Sequence, residues 1–431
     1  MRSPILLLCS AVLLSTSVAF AFSDASQTVS ENQITLKQIV EKVSNENYLV
    51  LENALRTYQS KEAIHSARAN LLPSLNVWRV ISVVFEPTSM VGMIEDVAPF
   101  LVPGNWLRLK EQKLLHQAEM QAYRALWANE VMTAKALFVN SNSDLNLLRH
   151  VGEIRKEMED LLLIVRTREM MGVSKPGLSR DLEIRILALK EDERALKVLV
   201  DQELDSLSYI LGIQGNVSVT LEPLQFPDFE KLEPLSYEDF EFRALDNAPE
   251  VKQFDYILAA ADYVKKEVYW SVLGTSTASR GVSGGVFDDI PIQSGLGFGA
   301  GPAIEIIKAK KESLKLQKRG VVETLKRQLQ NVVRNYNLDL ENYSSMKRRV
   351  QLSLESLEFL KSRIRLGEDI DILELIEASR NHMQAETAFA GVKARFLTQI
   401  DRLERLLFAS DYEGNPPVIE HGEAAATTGR N

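Results

Sequence analysis

Residues 314–364 read LKLQKRGVVETLKRQLQNVVRNYNLDLENYSSMKRRVQLSLESLEFLKSRI, with apolar positions at Leu314, Val321, Leu325, Val332, Tyr336, Leu340, Tyr343, Val350, Leu354, Leu357 and Ile364. The steps between them are three, four or seven residues, the spacing of a coiled-coil seam. No proline occurs between Pro302 and Pro416, and the matching stretch of the first half, 106–171, also has none. Nothing in either stretch stops a helix. About 65 helical residues at 1.5 Å each span roughly 95–100 Å, far beyond the diameter of a globular domain. Each long helix therefore needs a partner along its whole seam.

Shorter helical patterns supply that partner. The stretch 178–211 spans about 50 Å and 235–270 about 54 Å, so end to end they match one long helix. The same sum works for 370–408 with 34–72. Between them, the link 213–234 contains three prolines and falls halfway along the rod. The prediction is a tube wall rather than a ball. The chain also repeats itself: Ile34-Thr35-Leu36 through Asn45-Glu46-Asn47-Tyr48 lines up with Leu235-Ser236-Tyr237 through Asp246-Asn247-Ala248-Pro249. Each copy opens an amphipathic helix with Ser or Thr near the cap. The expected organisation is a first repeat over 22–212, an equatorial linker over 213–234 and a second repeat over 235–409. A disordered tail rich in Gly, Pro, Ala and Thr is expected over 410–431.

Between opening and long helices lie 75–100 and 271–302, each able to hold two strands of nine or ten residues. A tilted strand needs about that length to cross a bilayer. Gly295-Leu296-Gly297-Phe298-Gly299-Ala300-Gly301 alternates Leu, Phe and Ala with bare glycine, whereas Glu95 and Asp96 sit awkwardly in a lipid-facing strand. Four strands cannot close a membrane barrel, whose minimum is about eight. Either several chains pool their strands, or these segments are soluble hairpins at the end of a rod.

Composition narrows the function. Fifty Lys and Arg against 59 Asp and Glu leave a net charge of −9, so broad attraction to nucleic acid is not expected. The 21 Gly and 14 Pro in 431 residues are too few for an all-β protein with a turn every ten residues or so. Residues 1–21 carry Arg2, an apolar run from Ile5 to Leu14, and Ala19-Phe20-Ala21, the pattern of a cleaved secretory signal peptide. The polar Ser10, Ser15, Thr16 and Ser17 disfavour an uncleaved anchor, and Cys9 lacks the small residue a lipoprotein site needs before it. Cys9 is the single cysteine, so cleavage leaves no thiol chemistry.

The ordered set of segments resembles the TolC-like outer-membrane efflux channels over about 34–407. Ile34-Thr35-Leu36-Lys37-Gln38-Ile39-Val40 is similar to that family's first helix, and Ala69-Asn70-Leu71-Leu72-Pro73-Ser74-Leu75 to its approach to the first strand. Pro99-Phe100-Leu101-Val102-Pro103-Gly104 resembles the passage from strand to long helix. Gly172-Val173-Ser174 and Arg365-Leu366-Gly367 sit where family members have their helix-hairpin tips. The resemblance implies a mainly α fold with a small β part. Its core is a long antiparallel coiled-coil α-barrel, and four strands per chain join a trimeric twelve-stranded β-barrel. It further implies a homotrimer in outer-membrane lipid with a large periplasmic part. Such a conduit is passive and is opened at its tips by a periplasmic adaptor coupled to an inner-membrane transporter. The short strand regions, and a first tip that is long and contains Pro176, keep a second reading open: a non-conducting periplasmic scaffold or adaptor-binding protein derived from the same fold.

No cofactor, metal site or catalytic group is expected. The five histidines, His65, His116, His150, His382 and His421, show no ligand spacing, and no phosphate loop or nucleophile elbow occurs. The best candidates for a working site are Asp369, Asp371, Glu374 and Glu377 near the second tip. Glu374 and Glu377, three apart, share a helix face. Glu374-Leu375-Ile376-Glu377-Ala378 resembles the family's acidic pattern at the closed entrance, which implies a pore gate. Repeated by symmetry, such rings favour cations at a constriction. The alternative is an acidic helix start that complements the dipole. Gly172, Val173, Ser174, Arg365 and Gly367 are the candidate adaptor-docking residues. Arg166, Arg168, Lys175, Arg180 and Arg363 flank the same turns.

Overall fold

The structure is a computed structural model that describes residues 32–73, 99–173, 175–213, 219–270, 286–287, 290, 300–368 and 371–418. The expected signal peptide lies outside the described residues, as does most of the two expected strand regions. A short strand β1 (Asn32–Ile34) leads into α1 (Leu36–Glu46) and α2 (Tyr48–Ala69). The long helix α3 (Pro103–Met170) and the returning α4 (Leu178–Ile210) follow. After strand β2 (Val219–Leu221) the order recurs as α5 (Glu238–Asn247), α6 (Pro249–Trp270), the long α7 (Ala300–Arg365) and the returning α8 (Ile372–Leu407).

At 68 and 66 residues, α3 and α7 span about 100 Å each. Proline marks their starts: Pro103 sits at the first helical position and Pro302 in the first turn, where no intrahelical N–H partner is lost. The shorter helices cover them in succession. Along α3 lie α1, α2, α4, α6 and α8, while α7 packs chiefly on α8 and α6. Toward the hairpin tips, one cluster joins Ile154, Met158 and Leu161 of α3, Leu182 and Leu189 of α4, Leu357 and Ile364 of α7, and Leu375 of α8. Each such side chain, fully buried, contributes about 2 kcal/mol. Along the quoted seam, Leu314, Leu325, Val332, Tyr336, Leu357 and Ile364 are buried. Leu354 is not: it is 42% exposed, while Leu360, three residues past the buried Leu357, is buried beside the seam.

The opening helices are each broken once, which the periodicity does not predict. Asn47 ends α1 and caps α2, its Oδ1 accepting from the Val50 amide at 3.0 Å. Its Nδ2 donates to the Ile210 carbonyl at 2.9 Å, at the last residue of α4. In the second half the break falls at Ala248, before Pro249, and Asn247 Nδ2 donates to the Leu407 carbonyl at 3.1 Å, at the last residue of α8. The same joint is thus built twice.

Both returning helices close with a Schellman turn at this joint. Gly212 (φ +67) carries one, and a Cβ there would stand 2.3 Å from the Glu46 carbonyl oxygen, so only glycine fits. Phe408 (φ 49) carries the other despite its side chain. Its buried ring lies under the Arg124 and Arg405 guanidiniums, 5.0 and 5.5 Å away, which offsets the left-handed backbone.

Two expectations are corrected here. Ile34 is the end of a strand rather than a helix start: β1 pairs parallel with β2, Ile34 opposite Leu221, so the equatorial link carries a strand. Thr35 is the cap, in a capping box with Gln38. Second, the described start of the tail, 410–418, is packed rather than free. Tyr412 is fully buried, its hydroxyl donating to Asp401 at 2.8 Å, and the Tyr123 hydroxyl donates to the Pro417 carbonyl at 2.8 Å. Lys135 explains the docking, bonding Asp401 at 2.9 Å and Asp411 at 2.7 Å.

Candidate functional site at the helical tips

The chain reverses twice at one end of the bundle, once between α3 and α4 and once between α7 and α8. Helix α3 stops because Gly172 turns left-handed (φ +71), with Val173 N–H reaching back to the Arg168 carbonyl at 3.0 Å. Helix α7 stops identically at Gly367 (φ +90), where Glu368 N–H reaches the Arg363 carbonyl at 3.1 Å. Neither glycine has any atom within 4 Å of a would-be Cβ, so both turns face open space.

The first hairpin has an unusual cap. Gly177 begins α4 with no side chain of its own to satisfy the free amides. Glu169 supplies the acceptor from the preceding helix, taking the Ser179 amide at 3.0 Å and the Ser179 hydroxyl at 2.5 Å. The Ser179 hydroxyl first, then the surrounding amides, hold the Glu169 carboxyl below the ordinary glutamate range.

Arg168 joins the two tips. Its guanidinium donates to the carbonyls of Glu368, at 3.0 Å, and Gly367. Those carbonyls follow the C-terminus of α7, where a cation complements the dipole. Arg363 holds the Glu368 side chain at 2.5 Å.

The predicted carboxylates separate into two roles. Asp371 is the N-cap of α8, its Oδ1 accepting from Leu373 N–H at 3.0 Å. Glu374 and Glu377 stand in the first two turns of α8, both exposed, while Leu375 between them is fully buried in the tip cluster. The helix is thus pinned by its apolar face with both glutamates turned to solvent. Asp369 and Ser174 lie outside the described residues. Around the turns, Met170, Met171, Val173 and Leu366 are exposed, Met170 and Leu366 by more than 80% or close to it. Arg365 is exposed beside Leu366.

Sequence spacing gave no sign that two histidines meet. His150 on α3 and His382 on α8, 232 residues apart, approach with Nε2 atoms 3.3 Å apart, and Glu386 lies beside them. The ladder of helices, not local spacing, brings the pair together. His382 is buried; burial first, then the neighbouring His150, holds its imidazole below the ordinary histidine value.

The long helices, half-length partners and paired tips make up the fold of the TolC-like outer-membrane efflux channels. The outer-membrane channel OprN superposes with a TM-score of 0.68 over 88% of this chain and 90% of its own, at 15% identity. CusC, whose structures concern folding and transmembrane channel formation, gives 0.66 over 89% and 93%, at 12% identity. The Campylobacter jejuni CmeC outer membrane channel gives 0.65 over 91% and 88%, also at 12%. No family model matches the sequence and no curated protein matches it, so the likeness is one of fold.

Proposed function

We propose that this chain is the outer-membrane channel of a tripartite export system, a passive homotrimeric conduit spanning the periplasm. In this reading its pooled strands stand in outer-membrane lipid, and its tips are opened by a periplasmic adaptor coupled to an inner-membrane transporter. The observation that carries it is the tip itself. Two glycine-terminated hairpins, bridged by Arg168, present exposed Met170, Met171, Val173 and Leu366 beside the solvent-facing Glu374 and Glu377. Apolar side chains so exposed at a helix end are a docking surface in search of a partner. Two surface glutamates on one turn, repeated by a threefold axis, form the charged ring of a cation-favouring gate.

The homotrimer draws support from a second seam. Leu338, Leu352 and Phe359 of α7, and Leu366 just beyond its end, are all exposed and fall on a seven-residue repeat. Among the described residues no helix covers that line, whereas a neighbouring copy in a closed ring would. None of the described helices is long and apolar enough to cross a membrane. In this proposal the membrane contact belongs to the strand regions.

Fractionation of cell envelopes, followed by carbonate and urea washes, tests the reading. Retention of the mature chain in the outer-membrane pellet is the expected result. Release into the soluble fraction would favour the non-conducting scaffold.

A further inference from the structure

We infer that His150, His382 and Glu386 form a binding site for one divalent transition metal of the zinc class, tying α3 to α8. The three ligand atoms lie within 4.8 Å of one another. Two nitrogens bound at 2.0–2.1 Å with a tetrahedral angle stand about 3.3–3.4 Å apart. The two Nε2 atoms are 3.3 Å apart, and the rings cross at 73° rather than stacking. A glutamate four residues after a histidine shares its helix face, and three rotatable bonds let Glu386 swing its carboxylate inward.

The outer nitrogen of His382 is also placed as ligation requires. His382 Nδ1 faces the Ser353 hydroxyl of α7 at 3.1 Å, and His150 Nδ1 faces Glu153 at 3.8 Å. Metal-bound histidines almost always engage a carboxylate, hydroxyl or carbonyl through the other nitrogen, which fixes the tautomer. The nearby cation Lys361 is neutralised by Glu157 and Glu358, so its charge does not stand against an incoming ion. Two imidazoles and one carboxylate suit zinc, copper, nickel or cobalt and not magnesium or calcium, which take oxygen sets. A fourth position is left for water.

A hydrogen bond between the two imidazoles accounts for the pair alone. It does not account for the carboxylate within 4.8 Å of both rings or for the Ser353 hydroxyl on the outer nitrogen of His382. The site stands independently of the conduit reading. His382 lies five residues beyond Glu377, about 7–8 Å along α8, so a bound ion holds that helix to α3 just behind the tip.

The test is a titration of the full mature chain, stripped with EDTA, by Zn²⁺ and separately by Co²⁺, whose visible absorption reports four-coordinate ligation. One ion per chain and a raised Tm are expected. His150→Gln, at a half-buried position that tolerates polarity, should lose affinity by about a hundredfold, and Ser353→Ala by about tenfold. Helix content and melting of each metal-free variant establish that it is folded. Absence of binding to the folded protein at micromolar Zn²⁺ would leave only a hydrogen-bonded histidine pair and overturn the site. Unchanged affinity in folded His150→Gln and Glu386→Gln would overturn it equally.

Discussion

The Arg168 guanidinium, in the last turn of α3, donates to the Glu368 carbonyl at 3.0 Å and to the adjoining Gly367 carbonyl, linking hairpin tips 200 residues apart in the chain. Opening the bundle at this end must break those bonds or carry both tips together. Arg168→Ala is expected to speed hydrogen exchange at the Gly367 and Glu368 amides several-fold, with global stability changed by no more than about 0.5 kcal/mol. Unaltered exchange at both amides would show that the tips are held by other means.

The left-handed glycines should divide sharply by surroundings. Gly212→Ala forces a Cβ against the Glu46 carbonyl and is expected to cost about 3 kcal/mol or more. Gly172→Ala and Gly367→Ala meet no neighbour, so each should cost only about 1 kcal/mol. Denaturant midpoints of the three variants measure the contrast, and equal losses would refute it.

The long helices were legible because their evidence is local and cumulative: a 50-residue apolar repeat and two proline-free stretches leave few alternatives. The tip glycines were legible for the same reason, each ending a periodic run. The remaining features depend on contacts made far along the chain. Strands β1 and β2 are three residues each and gain their identity only by pairing Asn32 with Val219. The break at Asn47 is set by a hydrogen bond to Ile210, and the position of the tail by Lys135. His150 and His382 look like ordinary helix residues until the bundle superposes them. Asp371 was visible as an acid at a helix start, but its cap bond to the Leu373 amide required the backbone.

Acid should loosen the first hairpin before the rest of the chain. Glu169 has a carboxyl pKa lowered by Ser179, so its capping contribution is present above the ordinary glutamate value and lost as pH falls through its lowered one. Exchange at the first amides of α4 is therefore expected to accelerate below about pH 4 in the natural chain. In Ser179→Ala the same amides should already be faster at neutral pH and should gain less on acidification. A pH response identical in both proteins would contradict the assignment.

Lys135 tests the equatorial joint. Its ammonium is nearly buried between Asp401 and Asp411, and Lys135→Met leaves Asp401 charged and largely enclosed. The expected loss is about 3 kcal/mol, with cleavage appearing at 410–418 under limited proteolysis. Lys135→Met with Asp401→Leu should recover much of that loss, because no buried charge then lacks a partner. Thermal melts of both variants decide the point; a double variant no better than the single one would count against it.

The conduit itself is tested most directly by electrical recording on purified protein in planar lipid bilayers, comparing the natural chain with Glu374→Gln/Glu377→Gln. Small, cation-favouring conductance in the natural chain, with a larger and less selective leak in the variant, is the predicted result. Bilayers that remain silent with both folded proteins, or a variant whose closed-state conductance and selectivity are unchanged, would contradict a channel gated by these two glutamates.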